Sequence, residues 1–152
     1  MKIIDIYLKT NQIDKDYIKL SLKLRKMINK TVKNMPKSYR YVITNNILNL
    51  MQQITNSCFQ SEFIKLTKDL SIEQFKEKQA LLIKADQLLF NLRLEIVFLF
   101  EMLNEGTNVF KTADDTNKIF DKLIKTISNT SKAINVIHQY NIITIKKLKI
   151  NI

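Results

Sequence analysis

Residues 71–105 read SIEQFKEKQALLIKADQLLFNLRLEIVFLFEMLNE. Within them Leu82, Ala85, Leu89, Leu92, Ile96, Leu99 and Leu103 alternate spacings of three and four with no polar interruption, which is the seam of a helical bundle. Ser71 and Gln74 form a capping box at the start, and Gly106 stands where a helix is closed by a C′ glycine. The predicted helix from 72 to 105 is about 51 Å long at the standard rise per residue. Leu81, Leu88, Phe90, Leu94, Val97, Phe98, Phe100 and Met102 lie off that seam, too many for one bundle face to bury. Such a helix is central or belongs to an oligomer, and Leu88, Phe90, Leu94, Val97 and Phe98 are the expected subunit interface.

Working outward, residues 16–34 predict a first helix with Tyr17, Leu20, Leu24, Met27 and Thr31 inward, capped by Asp14 or Asp16. Pro36 breaks the pattern. A second helix from about 38 to 61 turns Ile43, Ile47, Leu50, Met51, Ile54 and Cys58 inward. Its other surface is Asn45, Asn46, Asn49, Gln52, Gln53 and Asn56, an uncharged amide face suited to contact with protein. Residues 62–70, with Lys65, Lys68 and Asp69, read as a connector or a frayed extension of the second helix. Thr112 and Asp115 make a second capping box, and a fourth helix follows on Thr116, Phe120, Leu123, Ile127, Thr130, Ile134 and Ile137, with His138 as its C-terminal cap. Ile4, Ile6 and Leu8 alternate near the start, and 139–152 is a basic, apolar, β-branched tail. The two termini are therefore expected to pair as short strands. The fold class is all-α: one antiparallel four-helix bundle over 1–152, with its core in 15–138.

Composition agrees. A chain of 152 residues supports one domain with a proper core, and one Gly with one Pro cannot furnish the turns of a β-sandwich or the glycine-rich loops of nucleotide-binding folds. The lone Cys58 forbids an intrachain disulfide and a multi-cysteine metal cage, and reads as a buried inert thiol. Asp5 interrupts the N-terminal apolar run, so no signal peptide is expected. The uncharged stretch 41–61 has eleven Thr, Asn, Gln or Ser residues and is a helix in protein, not in lipid. The expected location is the cytoplasm.

Charge is the chemical signal. Twenty-five Lys and Arg face 14 Asp and Glu, a formal net charge of +11, which points to an acidic partner. Lys15, Lys19, Lys23, Lys26, Lys30, Lys33 and Lys37 recur at spacings of three and four, within an arc of roughly 80° on a regular helix. Arg25 and Arg40 join them, and between Lys15 and Arg40 only Asp16 is acidic. Like charges at these spacings repel, so a one-signed ridge costs stability. Ammonium groups on every turn can follow a phosphate backbone without reading sequence. Lys118, Lys122, Lys125 and Lys132 form a weaker second patch, and Lys146, Lys147 and Lys149 a third. Arg93, without an acid three or four residues away, is expected to take its partner from another helix or another subunit, as a core ion pair or a capped carbonyl in preference to a ligand contact.

Catalysis has no support in the residues. One terminal His yields no Ser-His-Asp or Cys-His set, and Asp114 with Asp115 or Glu101 with Glu105 belong to helix ends. No catalytic residue, metal ligand or cofactor is expected.

The segments LRKMINKTVKNMPKSYRYVITNNILNLMQQI, KADQLLFNLRLEIVFLFEML and TADDTNKIFDKLIKTISNTSKAI, with Pro36, Arg93 and their apolar spacing, resemble the accessory variability determinant proteins of diversity-generating retroelements. The bundle proteins encoded in ribosomal RNA intervening sequences are similar almost to the same degree. The resemblance spans about residues 20–135. It implies a basic, barrel-like homo-oligomer, a pentamer, that binds a reverse transcriptase and RNA or DNA and supports mutagenic cDNA synthesis. Ile127 to Ile137 lacks the glycine and tryptophan of that family's last helix.

The reading is thus a non-enzymatic nucleic-acid-binding accessory protein acting through Lys15 to Arg40. A protein-protein adaptor is the alternative, favoured by the amide face. A membrane-surface protein anchored by the tail is a third reading, with support from the tail alone.

Overall fold

The computed structural model describes residues 16–105 and 113–150. They form four helices: α1 (Asp16–Val32), α2 (Asn45–Phe63), α3 (Ile72–Glu105) and α4 (Ala113–Ile150). Each of α1 and α3 packs on both α2 and α4, which sets the helices at the corners of a square in chain order. Tyr17 near the start of α1 meets Glu62 near the end of α2, and Ser61 meets Lys78 near the start of α3. Gln79 then meets His138 and Asn141 in the second half of α4. Successive helices therefore run antiparallel.

The seam of α3 is buried throughout, from Leu82 to Leu103. Its capping box forms as the residue types require: Ser71 Oγ accepts from the Gln74 amide at 3.1 Å, and Gln74 Oε1 accepts from the Ser71 amide at 3.1 Å. Phe100, predicted off the seam, is buried and tilts against Phe120 of α4 with ring centroids 4.9 Å apart. Gly106 and Thr112, the predicted helix closer and cap, lie outside the described residues.

Past Pro36 the winding first tightens and then widens. The Tyr39 amide donates to Pro36 O at 3.0 Å in a 3-10 turn (Lys37–Tyr39), and a π-helical segment (Arg40–Thr44) leads directly into α2. Thr44 is already helical and makes no side-chain cap, because no free helix end exists there. Pro36 itself lacks the N–H that would have carried α1 onward.

Two sequence expectations need correction. The inward face of α1 is Tyr17, Ile18, Ser21, Leu24, Ile28 and Thr31, whereas Leu20 and Met27 are only partly buried. The face is turned by about 60° from the predicted stripe. The helix carries apolar residues over a wide arc, and only a face centred on Leu24 and Ile28 stands diametrically opposite the lysines. Burial of Leu20 and Met27 at its centre would draw Lys23 and Lys30 toward the core.

The second correction concerns the C-terminal tail. Residues 143–150 are helical, α4 continues to Ile150 without a stop at His138, and His138 lies within the helix rather than capping it. The predicted terminal strands fail for this segment, and their partners near Ile4 to Leu8 lie outside the described residues. Ile142, Ile143, Thr144 and Ile145 have low helix propensity, but burial of Asn141 and Ile145 outweighs it. Lys149 Nζ donates to Leu70 O at 2.7 Å and ties the helix end to the connector between α2 and α3.

Sequence patterning also missed a polar belt that crosses all four helices. Tyr17 donates to Glu62, Lys78 Nζ donates to Ser61 O at 2.6 Å, and Ser61 Oγ returns a bond to Lys78 O at 3.0 Å. Gln79 Nε2 donates to His138 O at 3.0 Å, and Asn141 Nδ2 to Gln79 Oε1 at 2.9 Å. Among the described residues no buried side-chain polar atom lacks a partner. Buried Thr31, Thr55, Thr126 and Thr130 meet that demand by bonding back to the carbonyl four residues earlier.

Candidate nucleic-acid interface

Because the buried side of α1 faces inward along its whole length, Lys19, Lys23, Lys26, Lys30 and Lys33 stand on the opposite, exposed side, and Lys37 is exposed in the turn that follows. Among the described residues no hydrogen bond or ion pair engages the ammonium group of Lys19, Lys23, Lys26, Lys30 or Lys33. Arg25 is offset from the row and half-buried. Lys15 lies outside the described residues, and the side chain of Arg40 is likewise not described.

The second lysine patch gains weight from topology. Lys118, Lys122, Lys125 and Lys132 are all exposed on the outward side of α4, and α4 is a direct neighbour of α1. The two outward rows therefore flank one side of the bundle, running antiparallel. The same side of α4 continues through Val136, Tyr140 and Ile143, which are exposed, to Lys146 and Lys147. Extension of the helix brings Lys146 and Lys147 of the third patch, predicted as a separate tail, into line with the second, whereas Lys149 turns to the carbonyls of Lys68 and Leu70.

Of the five residues expected at a subunit interface, Phe90, Leu94 and Phe98 are exposed at spacings of four along one side of α3, and Leu88 and Val97 are partly buried. Leu88 leans toward α2 and packs against the core, Val97 is half-buried, and Phe90 borders the groove between α3 and α4. Leu94 and Phe98 do stand outward, 53% and 47% exposed, in line with Ile83. Spacings of four and eleven place these three on the side of α3 opposite its seam.

Arg93 is a further correction. Its side chain is exposed and borders the α3–α4 groove, not the core. The residue lies about 70° from the centre of the seam, where a long side chain reaches solvent at no desolvation cost. A second groove, about 400 Å³, lies between α2 and α3 and is lined by Asn46, Asn49, Gln53, Asn91 and Leu94 among others. The predicted amide face is exposed at every one of its six named positions.

Cys58 is buried, and desolvation pushes its thiol up from 9.0 to about 12. It is thus a protonated, unreactive side chain at neutral pH. Among the described residues no group of three or more His, Cys, Asp or Glu is arranged to hold a metal ion. No described helix is long and apolar enough to cross a membrane.

Fold and surface together define an all-α four-helix bundle with exposed lysine rows on two neighbouring helices, α1 and α4. Comparison with protein-family models, curated proteins and solved structures returns no match for this chain.

Proposed function

We propose that this protein is a non-enzymatic nucleic-acid-binding accessory protein whose α1–α4 side lies along a phosphate backbone. The observation that carries the reading is the exposed lysine row of α1, which no described acid neutralises and which is flanked by the row of α4. Repulsion within such a row is unfavourable in the free protein and is relieved when phosphates replace small counterions. Lysines act there as point charges, so binding tolerates any sequence and weakens steeply with salt.

The resemblance to the accessory proteins of diversity-generating retroelements extends the reading to RNA or an RNA-DNA hybrid and to a reverse transcriptase as protein partner. Self-association through the outward stripe of Ile83, Leu94 and Phe98 belongs to the same proposal, with a pentamer as the assembly the resemblance implies. The stripe adjoins the uncharged surface of α2, where copies of a chain of net charge +11 approach with least repulsion.

Fluorescence anisotropy with labelled RNA, DNA and hybrid is the test. Binding lost when Lys19, Lys23, Lys26 and Lys30 are all changed to Gln supports the reading. Undiminished binding by that variant contradicts it. A protein-protein adaptor is the second reading, supported by the amide-lined groove between α2 and α3, and it leads if no nucleic acid binds at low salt.

A further inference from the structure

The groove between α3 and α4, about 340 Å³, has a chemistry that bundle packing does not require. Its floor is apolar, with Leu89 and Ile127. Phe90 stands on its α3 wall with 61% of its surface exposed, a large ring left in water. Arg93, one turn further along the same wall, is exposed, and among the described residues nothing pairs with its guanidinium. On the α4 wall Lys132 is exposed and belongs to the outward lysine row, so the groove opens directly onto the basic side of the molecule. Asp86 is held by Ser131, whose hydroxyl donates to Asp86 Oδ1 at 2.5 Å.

One groove therefore offers an open aromatic face, two cations and a carboxylate acceptor. An apolar side chain from a second copy would use the ring but strip water from Arg93 and Lys132 without replacing it. An acidic peptide would satisfy the cations and leave the ring unused. An unpaired nucleotide uses all of them: a flat base stacks on a ring, a phosphate is drawn to guanidinium and ammonium, and a base amino group can donate to a carboxylate. The volume lies at the lower end of small-ligand sites.

We propose that this groove takes one unpaired nucleotide of a single strand, its base against Phe90 and its phosphate toward Arg93 and Lys132. This rests on the nucleic-acid reading above and names its substrate class: the protein prefers single-stranded over duplex nucleic acid, because a paired and stacked base cannot enter the groove.

The experiment compares a short labelled RNA strand with the duplex of the same sequence, using the full chain and its Phe90→Ala, Phe90→Tyr and Arg93→Gln variants, each checked for helicity by circular dichroism. The single strand is expected to bind more tightly. Phe90→Ala should weaken single-strand binding roughly five- to a hundredfold with the duplex unaffected, and Phe90→Tyr should restore it. Phe90→Ala should leave the log-log salt slope unchanged, and Arg93→Gln should lower it by about one. Equal affinity for strand and duplex, with no effect of Phe90→Ala on either, overturns the groove assignment while the lysine-row reading stands. Absence of binding to either nucleic acid overturns both. A parallel fall in affinity and in light-scattering mass for Phe90→Ala makes Phe90 a subunit contact and overturns the groove assignment alone.

Discussion

At Cys58 burial alone decides the chemistry. The thiol stays protonated in the folded chain up to about pH 12, whereas its ordinary value is 9.0. The unfolded chain thus loses this proton first as pH rises, so the contribution of Cys58 to stability is complete below pH 9 and is lost on the way to 12. Melting temperatures followed from pH 7 to 11 should fall more steeply for the native sequence than for Cys58→Ala, and a native thiol should resist a disulfide reagent until the protein unfolds. The position was legible because Cys58 continues the stripe of Ile47, Met51 and Ile54. By the same spacing Glu62 continues that stripe, and Lys78 stands in phase with Leu82 and Ala85. A charged residue in register with a buried seam was the available signal for the polar belt. Hydrophobic periodicity passes over that signal, because a charged residue adds nothing to an apolar stripe. Asn141→Leu should leave the Gln79 amide with an unmet acceptor and cost about 1–3 kcal/mol in denaturant unfolding.

At the scale of the element, α3 was legible to the residue because every local signal agrees: seam, capping box and length. The far half of α4 was not, because its β-branched run has the local preference of a strand, and the contacts that hold it helical come from Gln79 and the connector carbonyls. Local and tertiary preference conflict there, so Thr144→Pro, in the interior of the observed helix, should cost about 3 kcal/mol or more and detach Lys149 from Leu70. A strand at the molecule's edge would tolerate the same change far better. In α1 the ridge was legible and the buried face only in part, because the lysines, not the apolar spacing, fix which arc turns inward. The lysine row has a stability cost that substitution should reveal. Changing Lys19, Lys23, Lys26 and Lys30 to Gln removes the repulsive pairs Lys19–Lys23, Lys23–Lys26, Lys26–Lys30 and Lys30–Lys33, and at about 0.2–0.5 kcal/mol each the variant should be more stable than the parent in low salt, with the gain fading at high salt. Increased stability together with lost binding is the signature of a face retained for a partner, not for folding.

For the whole molecule, the square order of helices is what brings α1 and α4 together and sends the apolar stripe of α3 to another side. Neither adjacency was readable from residue spacing, since periodicity gives each helix its faces but not its neighbours. The arrangement separates the lysine rows of α1 and α4 from the outward apolar stripe of α3 and the amide face of α2, so the proposed self-association and the proposed nucleic-acid binding use different sides. Leu94→Lys with Phe98→Glu should reduce the mass measured by light scattering without abolishing binding to a short oligonucleotide, as equilibrium titration of the same sample would show. The central claim is that charge on the α1–α4 side engages phosphates, and salt dependence measures this most directly. An anisotropy titration of labelled RNA over a series of salt concentrations should give a steep negative log-log slope, less steep by about 3 to 4 for the Lys19, Lys23, Lys26 and Lys30 variant. A shared slope for parent and variant, or no binding at the lowest salt, would contradict the account.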